Sequence, residues 1–267
     1  MDQPRDSEEP GARPNSARIW GWWLGNEGYA LEADRVAGRL IAEQYPVIPE
    51  LARAARAFHE RVVRHMATSG LRQILDIGVG MPLPGHNTHE LAQAIAPDTR
   101  VVYVDNDDAV LAHHRELSVS TPQGAAAYVH EDVRDVDAVL ARAGETLDLS
   151  RPVGLTLMSM LGHLWDVAND VVRAYVHRLP SGSWLALCDT RHTAASVEMQ
   201  ESYAASEADP YIARTLDEIQ APVRTEGLEL LGNGFLPVSL WQPTDEIPAD
   251  ADPDTEPPQW GFVARKP

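Results

Sequence analysis

Between Leu71 and Thr190 the chain repeats one pattern: a short apolar run, a turn, then a segment with helical spacing. The runs are RQILDIG, RVVYVDND, AAAYVHEDVRD, VGLTLMSML and GSWLALCDT. Between them lie NTHELAQAIA, DDAVLAHHREL, DVDAVLARAG and DVVRAYVHRLP. Strands alternating with helices predict right-handed β-α-β crossovers and a parallel sheet.

The flanks differ from this centre. Residues 1 to 14 are polar and rich in Pro and Gly, and read as a disordered tail. NSARIWGWWLGN then offers Asn15 or Ser16 as an N-cap, and LEADRVAGRLIAEQY reads as a helix. PELARAARAFHERVVRHMATSG is a stronger helix: Pro49 suits its first turn, and Leu51, Ala55, Phe58, Val62 and Met66 share one face. Residues 15 to 70 are thus expected to flank or cover a core formed by 71 to 267, in one domain. After the fifth strand, residues 193 to 227 read as helical with a break at Asp209-Pro210. LELLGNGFLPVSLWQP and QWGFVARKP are strand-like and predict an antiparallel close. The acidic, proline-rich TDEIPADADPDTEPP between them reads as a solvated loop.

Charge limits the partners. Forty acidic residues against 22 basic ones give a net charge of −18. That field opposes phosphate backbones and anionic lipid, so neither nucleic acid nor a membrane surface is an expected partner; a neutral or cationic small molecule is. The lone Cys188 leaves no internal disulfide and suits the cytoplasm. The longest apolar stretch, around VGLTLMSMLG, is far short of the ~20 residues that span a bilayer. No feature speaks to the oligomeric state.

DIGVG places Asp76, Gly78 and Gly80 directly after the first strand. The glycines remove Cβ atoms where a ligand must approach the backbone, and the next helix starts with free N–H groups. A dinucleotide loop would read G-x-G-x-x-G, but Leu83 stands at the third glycine, which disfavours NAD. Asp76 opposes a phosphate and suits an ammonium group. Asp105 and Asn106 close the second strand, where an acid accepts from both hydroxyls of a ribose. Asp132 closes the third strand and can accept from an adenine amino group, with the Val133 N–H meeting a ring nitrogen. Three acids at three successive strand ends suit an adenosine with a positively charged amino-acid tail, which is S-adenosylmethionine.

The chain resembles the actinobacterial family of S-adenosylmethionine-dependent methyltransferases with a class I, Rossmann-like fold. The resemblance rests on PNSARIW, WWLG, EADR, LARAARAF, RQILDIGVGMP, NTHE, VVYVDND, TPQG, AYVHEDVRD, LDLSRPV and VARKP. It implies a seven-stranded sheet and bound S-adenosylmethionine, with no stated acceptor. The chain departs from the family pattern at Gly21, which follows Trp20 where members carry an acid, and at Asn26.

Methyl transfer needs a positioned nucleophile and a water-poor pocket, and a general base only when the acceptor must lose a proton. His163, after the fourth strand, is the candidate base; the resemblance places this position facing the methyl group. Asp189 and His192 are weaker candidates. Arg56, on the third helix, can grip the carboxylate of a methionyl tail. Trp20, Trp22, Trp23 and Tyr29 are candidates for a lid over an apolar acceptor, or else contribute to the core. His86 and His89 with Glu90 do not complete a metal site, and Asn87 and Thr88 are needed as helix caps. The expected function is methyl transfer to O, N or C of a small molecule; the competing one is an adenosyl-binding protein without turnover.

Overall fold

The computed structural model describes residues 13–117, 119–244 and 252–267. Most of the tail expected over 1 to 14, and residues 245–251 of the acidic loop, lie outside the described residues. Among the described residues the strands are β1 (Gln73–Ile77), β2 (Arg100–Asp105), β3 (Ala125–His130), β4 (Gly154–Met158), β5 (Trp184–Thr190), β6 (Glu229–Pro237) and β7 (Gln259–Arg265). They form one sheet in the order β3-β2-β1-β4-β5-β7-β6. The first five run parallel, and β7 pairs antiparallel with both β5 and β6. This is the class I methyltransferase arrangement expected from the alternating runs and the C-terminal pair. The order reverses between β1 and β4, and such a switch point opens a crevice at the strands' carboxyl ends.

The helices are α1 (Ser16–Trp23), α2 (Glu32–Gln44), α3 (Ile48–Thr68), α4 (Thr88–Gln93), α5 (Asp108–Leu117), α6 (Val136–Ala143), α7 (Ala168–Arg178), α8 (Ala194–Ala205) and α9 (Leu216–Thr225). In α3, the predicted face of Leu51, Ala55, Phe58, Val62 and Met66 is buried. Asn15 is the N-cap of α1, accepting from the Arg18 N–H at 3.1 Å. No helix among the described residues is long and apolar enough to cross a membrane.

Two boundaries differ from the sequence reading. Helix α4 stops at Gln93 instead of running through NTHELAQAIA; Pro97 follows closely, and the Gln93 amide turns to donate to the Thr99 carbonyl at 2.9 Å. Between 193 and 227 the break is a ten-residue connector, not a dipeptide. Its backbone is drawn to the loop after β4 and to the end of β5: Ile212 N–H donates to Gly162 O at 3.0 Å and Arg214 N–H to Thr190 O at 2.9 Å.

Apolar clusters cover both sheet faces, and a third joins α1, α2, α3 and α8 through Ile19, Trp23, Ile41, Leu51 and Tyr203. Fully burying each such side chain is worth ~1.5–3 kcal/mol. The Asp34 of EADR is buried at the joint of α1 and α2. It accepts from Arg18 Nε at 2.6 Å, Asn15 N at 2.8 Å and Leu31 N at 2.8 Å, so one carboxylate sets the angle at which α1 crosses the sheet edge.

Candidate active site

A cavity of about 430 Å³ opens at the carboxyl ends of β1 to β4. Beneath it lies the glycine turn. Gly78 and Gly80 have φ of +68° and +62°, the left-handed region that other residues enter at a cost of ~1–2 kcal/mol. A Cβ on Gly78 would stand 2.9 Å from the Met160 Cγ, so this glycine also lets the loop after β4 close in. A Cβ on Gly80 would meet no atom within 4 Å; it would project into open space.

Asp76, next to the last residue of β1, is buried. It accepts from Thr156 Oγ1 at 2.6 Å and Thr88 Oγ1 at 2.5 Å, and His59 Nε2 lies 3.7 Å away. Burial lowers the pKa of His59, and the neighbouring Asp76 opposes that shift. Arg56 also lines the cavity: its Nη2 donates to His86 O at 2.5 Å, while its buried Nε has no partner. Burial also lowers the Arg56 pKa, with Asp76 as the chief charge opposing that shift.

Asp105 ends β2 and lines the cavity with Asn106 and Asp107. Its Oδ1 accepts from the Asp107 N–H at 3.0 Å, and the Gly80 N–H points at its Oδ2 from 3.4 Å. Burial pushes its pKa up to about 6. Asn106 is exposed, and its carbonyl meets His130 Nε2 at 3.0 Å. Asp132 and Val133 reach the same cavity from β3. Arg134 grips the Asp132 carboxylate through Nε, at 2.9 and 3.0 Å, and through Nη2, and holds its pKa down.

His163 lines the far end, after β4. Its Nδ1 lies 2.8 Å from the Pro210 carbonyl, and its ring stands edge-on to Tyr211 at 5.1 Å. A carbonyl only accepts, so neutral His163 carries its proton on Nδ1 and leaves the Nε2 lone pair free. Burial lowers its pKa, which favours that neutral form. Asp189 lies outside the cavity lining, fully buried and ion-paired with Arg214 at 2.9 Å; His192 is exposed and also outside it.

The four lid candidates separate. Trp20 lines the cavity, with Leu24 one turn on. Trp22, Trp23 and Tyr29 do not. Trp23 is core, donating Nε1–H to Gly38 O at 3.2 Å, and the Trp22 ring lies where a Cβ on Gly38 would sit. Tyr29 packs on His113 at 4.5 Å. The reason is helical geometry: residues 19 and 23 share the face toward α2 and α8, and residues 20 and 24 the face toward the cavity. The departure at Gly21 has a use too, since a Cβ there would press to 3.1 Å from the Met81 Cβ. Asn26 bonds across to the same loop, donating to Pro82 O at 2.6 Å.

His86 and His89 go to different partners, Glu60 at 2.7 Å and Tyr103 Oη at 2.7 Å; Asn87 and Glu90 form a capping box on α4. Several lining residues escaped the sequence reading: Asn15, Asp107, Ser159, Trp165, Tyr203 and the connector residues Asp209 to Tyr211. For the connector, the Asp209-Pro210 break was the only available signal.

Fold and cavity together define a class I methyltransferase, and comparison with known proteins agrees. The chain belongs to the S-adenosyl methyltransferase family, which it matches over residues 4–267. It is an S-adenosylmethionine-dependent methyltransferase. It is 39% identical to a DUF574 family protein of Streptomyces avermitilis, with a TM-score of 0.85 over 96% of this chain and 98% of that one. It is 33% identical to a candidate methyltransferase of Thermobifida fusca, with a TM-score of 0.84 over 98% and 99%. An O-methyltransferase family 2 protein from Planctomyces limnophilus shares the fold alone, at 16% identity and a TM-score of 0.50 over 93% and 65%. No curated protein matches the chain.

Proposed function

We propose that S-adenosylmethionine lies along β3, β2 and β1, and that a small-molecule acceptor enters beside β4. The observation that carries this is the buried Arg56 Nε, a donor with no partner beside the glycine turn. A buried guanidinium N–H left unpaired is costly, and a carboxylate is the ligand that its geometry suits. Arg56 therefore holds the carboxylate of the methionyl tail, and Asp76 faces the ammonium. Gly78 and Gly80 let that tail lie against the backbone. Asp105 accepts from the ribose hydroxyls with Asn106 beside it. Val133 N–H and Asp132 take the adenine edge, Asp132 with the oxygen capacity that Arg134 leaves.

The cofactor supplies a methyl group on a positively charged sulfur. The residues beyond β1 do the rest. Trp20, on α1, and Leu24, its C-cap, shut water out from above. His163 Nε2 accepts a proton from the acceptor when methylation requires one. Residues 15–267 work as one domain in this reading, with 15–70 as its cover; the lone cysteine suits a cytoplasmic setting.

Titration calorimetry tests this directly. Wild type should bind S-adenosylhomocysteine and ignore NAD, and Arg56→Met should weaken that binding at least ~30-fold, about 2 kcal/mol for a charge-assisted pair. Equal affinity in the variant would remove Arg56 from the site. Conversion of S-adenosylmethionine to S-adenosylhomocysteine in a metabolite screen separates turnover from binding alone.

A further inference from the structure

The half of the cavity beyond the glycine turn has a composition of its own. Trp20, Trp165, Tyr203 and Tyr211 wall it, and Asp209 is its one carboxylate among the described residues. Trp165 is 62% exposed, a large aromatic surface left open at the mouth of a site. Asp209 is exposed and forms no salt bridge among the described residues. It is nonetheless close enough to His163 for its charge to act on that ring, as does the Arg214-paired Asp189. Among the described residues of the lining, the only Arg or Lys side chains are Arg56, assigned above to the methionyl carboxylate, and Arg134, held by Asp132. No cation is left to receive an anionic acceptor.

Aromatic walls with an unpaired acid attract organic cations, through the ring faces and through charge. The net charge of −18 draws cations toward the molecule as a whole. We propose that the acceptor is a small alkylamine bearing an aromatic ring, taken up as its ammonium ion beside Asp209 and methylated on nitrogen. The inference rests on the cofactor placement given above.

The chemistry balances with groups already on the page. An ammonium has no lone pair, so it must first lose a proton. His163 Nε2 is the free base next to Asp209 and takes it. The freed nitrogen pair then forms the N–C bond while the C–S bond breaks and its electrons stay on sulfur. The product leaves as a methylated ammonium, and His163 returns its proton to water. One proton is released per turnover. Asp209 also steadies the transient positive charge on His163.

Three indoles of one shape and different charge test this: tryptamine, tryptophol and indole-3-propionate, titrated at pH 7.5 into protein saturated with S-adenosylhomocysteine. Tryptamine should bind about tenfold more tightly than the carboxylate, the product of two partly screened charge effects, with the alcohol between them. Asp209→Asn should narrow that preference to about twofold, and Asp209→Lys should reverse it. Both should leave S-adenosylhomocysteine affinity within about twofold, because Asp209 does not touch the cofactor half. Mass spectrometry with S-adenosylmethionine should show the added methyl on the amine nitrogen. The proposal is overturned if the carboxylate binds as well as the amine, if the preference survives Asp209→Asn, or if none of the three binds. A failure of the cofactor placement itself would show earlier, as no S-adenosylhomocysteine binding before any indole is added.

Discussion

The Asn15 side-chain amide donates to the Asp107 carboxylate at 2.9 Å, across 92 positions of sequence. The bond ties the start of α1 to the end of β2, and Asn26 ties the other end to Pro82 at 2.6 Å. A helix pinned at both ends lies over the cavity, so one side chain, Asn15, both caps the helix and fastens it down.

Those two roles can be split. Asn15→Ser keeps a capping oxygen but loses the amide that reaches Asp107. Stability should fall by less than ~0.5 kcal/mol, since Ser and Asn cap about equally well. Release of S-adenosylhomocysteine, followed by stopped-flow fluorescence, should speed up severalfold. An unchanged release rate would make the bond to Asp107 incidental.

Gly80→Val tests the turn. A Cβ there meets no protein atom within 4 Å, so the chief cost to the fold is the strain at φ +62°, ~1–2 kcal/mol and somewhat more for a β-branched residue. The domain should still melt cooperatively. Calorimetric affinity for S-adenosylmethionine should drop below detection, because the side chain occupies the space of the ligand. Retained affinity would move the cofactor off the turn.

Asp105 gives the site a pH signature. Burial raises its pKa from 3.8 to about 6. In the free protein this group contributes stability when protonated: the contribution is complete below pH 3.8 and is lost as pH rises through 6. Ligand affinity runs the other way, since the ionised carboxylate is the stronger acceptor for two ribose hydroxyls. Affinity for S-adenosylhomocysteine should therefore rise between pH 5 and 7.5 with a midpoint near 6, and Asp105→Asn should flatten the curve. A flat wild-type curve would leave Asp105 as a cap only.

Much of the site is legible in the sequence, for a definite reason. Asp76, Gly78, Gly80 and Asp105 sit at the ends of parallel strands, and β-α-β chirality sends all such ends to one edge. Local pattern was enough to bring them together. Asn15, Tyr203, Asp209 and Tyr211 reach the same cavity from segments whose positions depend on packing; PNSARIW marks Asn15 as a cap and Asp209-Pro210 marks a break, but neither points to the cavity. The long connector before α9 was missed because its backbone bonds to Gly162 and Thr190, partners remote in sequence. The split of the tryptophans was readable in principle, from a period of 3.6 applied to Ile19, Trp20, Trp23 and Leu24.

His163 should matter to turnover and not to cofactor binding. His163→Asn should lower kcat by ~10²–10⁴, the range for a lost general base. Because burial lowers its pKa, the acid limb of the wild-type kcat/KM profile should fall below the 6.5 of an ordinary histidine, and should vanish in the variant. An unaltered profile would point to an acceptor that is already unprotonated.

The cover can be tested only with a small cut. Removing residues 1–29 would strip Ile19 and Trp23 from the cluster under α2 and α8, where they are 0% and 5% exposed. Losses of ~2–5 and ~3–5 kcal/mol for two such side chains approach the whole stability of a typical domain, so that truncation should give unfolded protein and not an open site. Trp20→Ala is the informative change, because Trp20 faces the cavity and is only half-buried. It should melt within a few degrees of wild type and bind S-adenosylhomocysteine within about threefold, while turnover falls at least ~30-fold as water enters above the methyl group. The quenching of tryptophan fluorescence on cofactor binding should shrink in parallel. Full turnover in Trp20→Ala would show that α1 is framework alone, and that the cavity is closed by the connector carrying Asp209 and Tyr211.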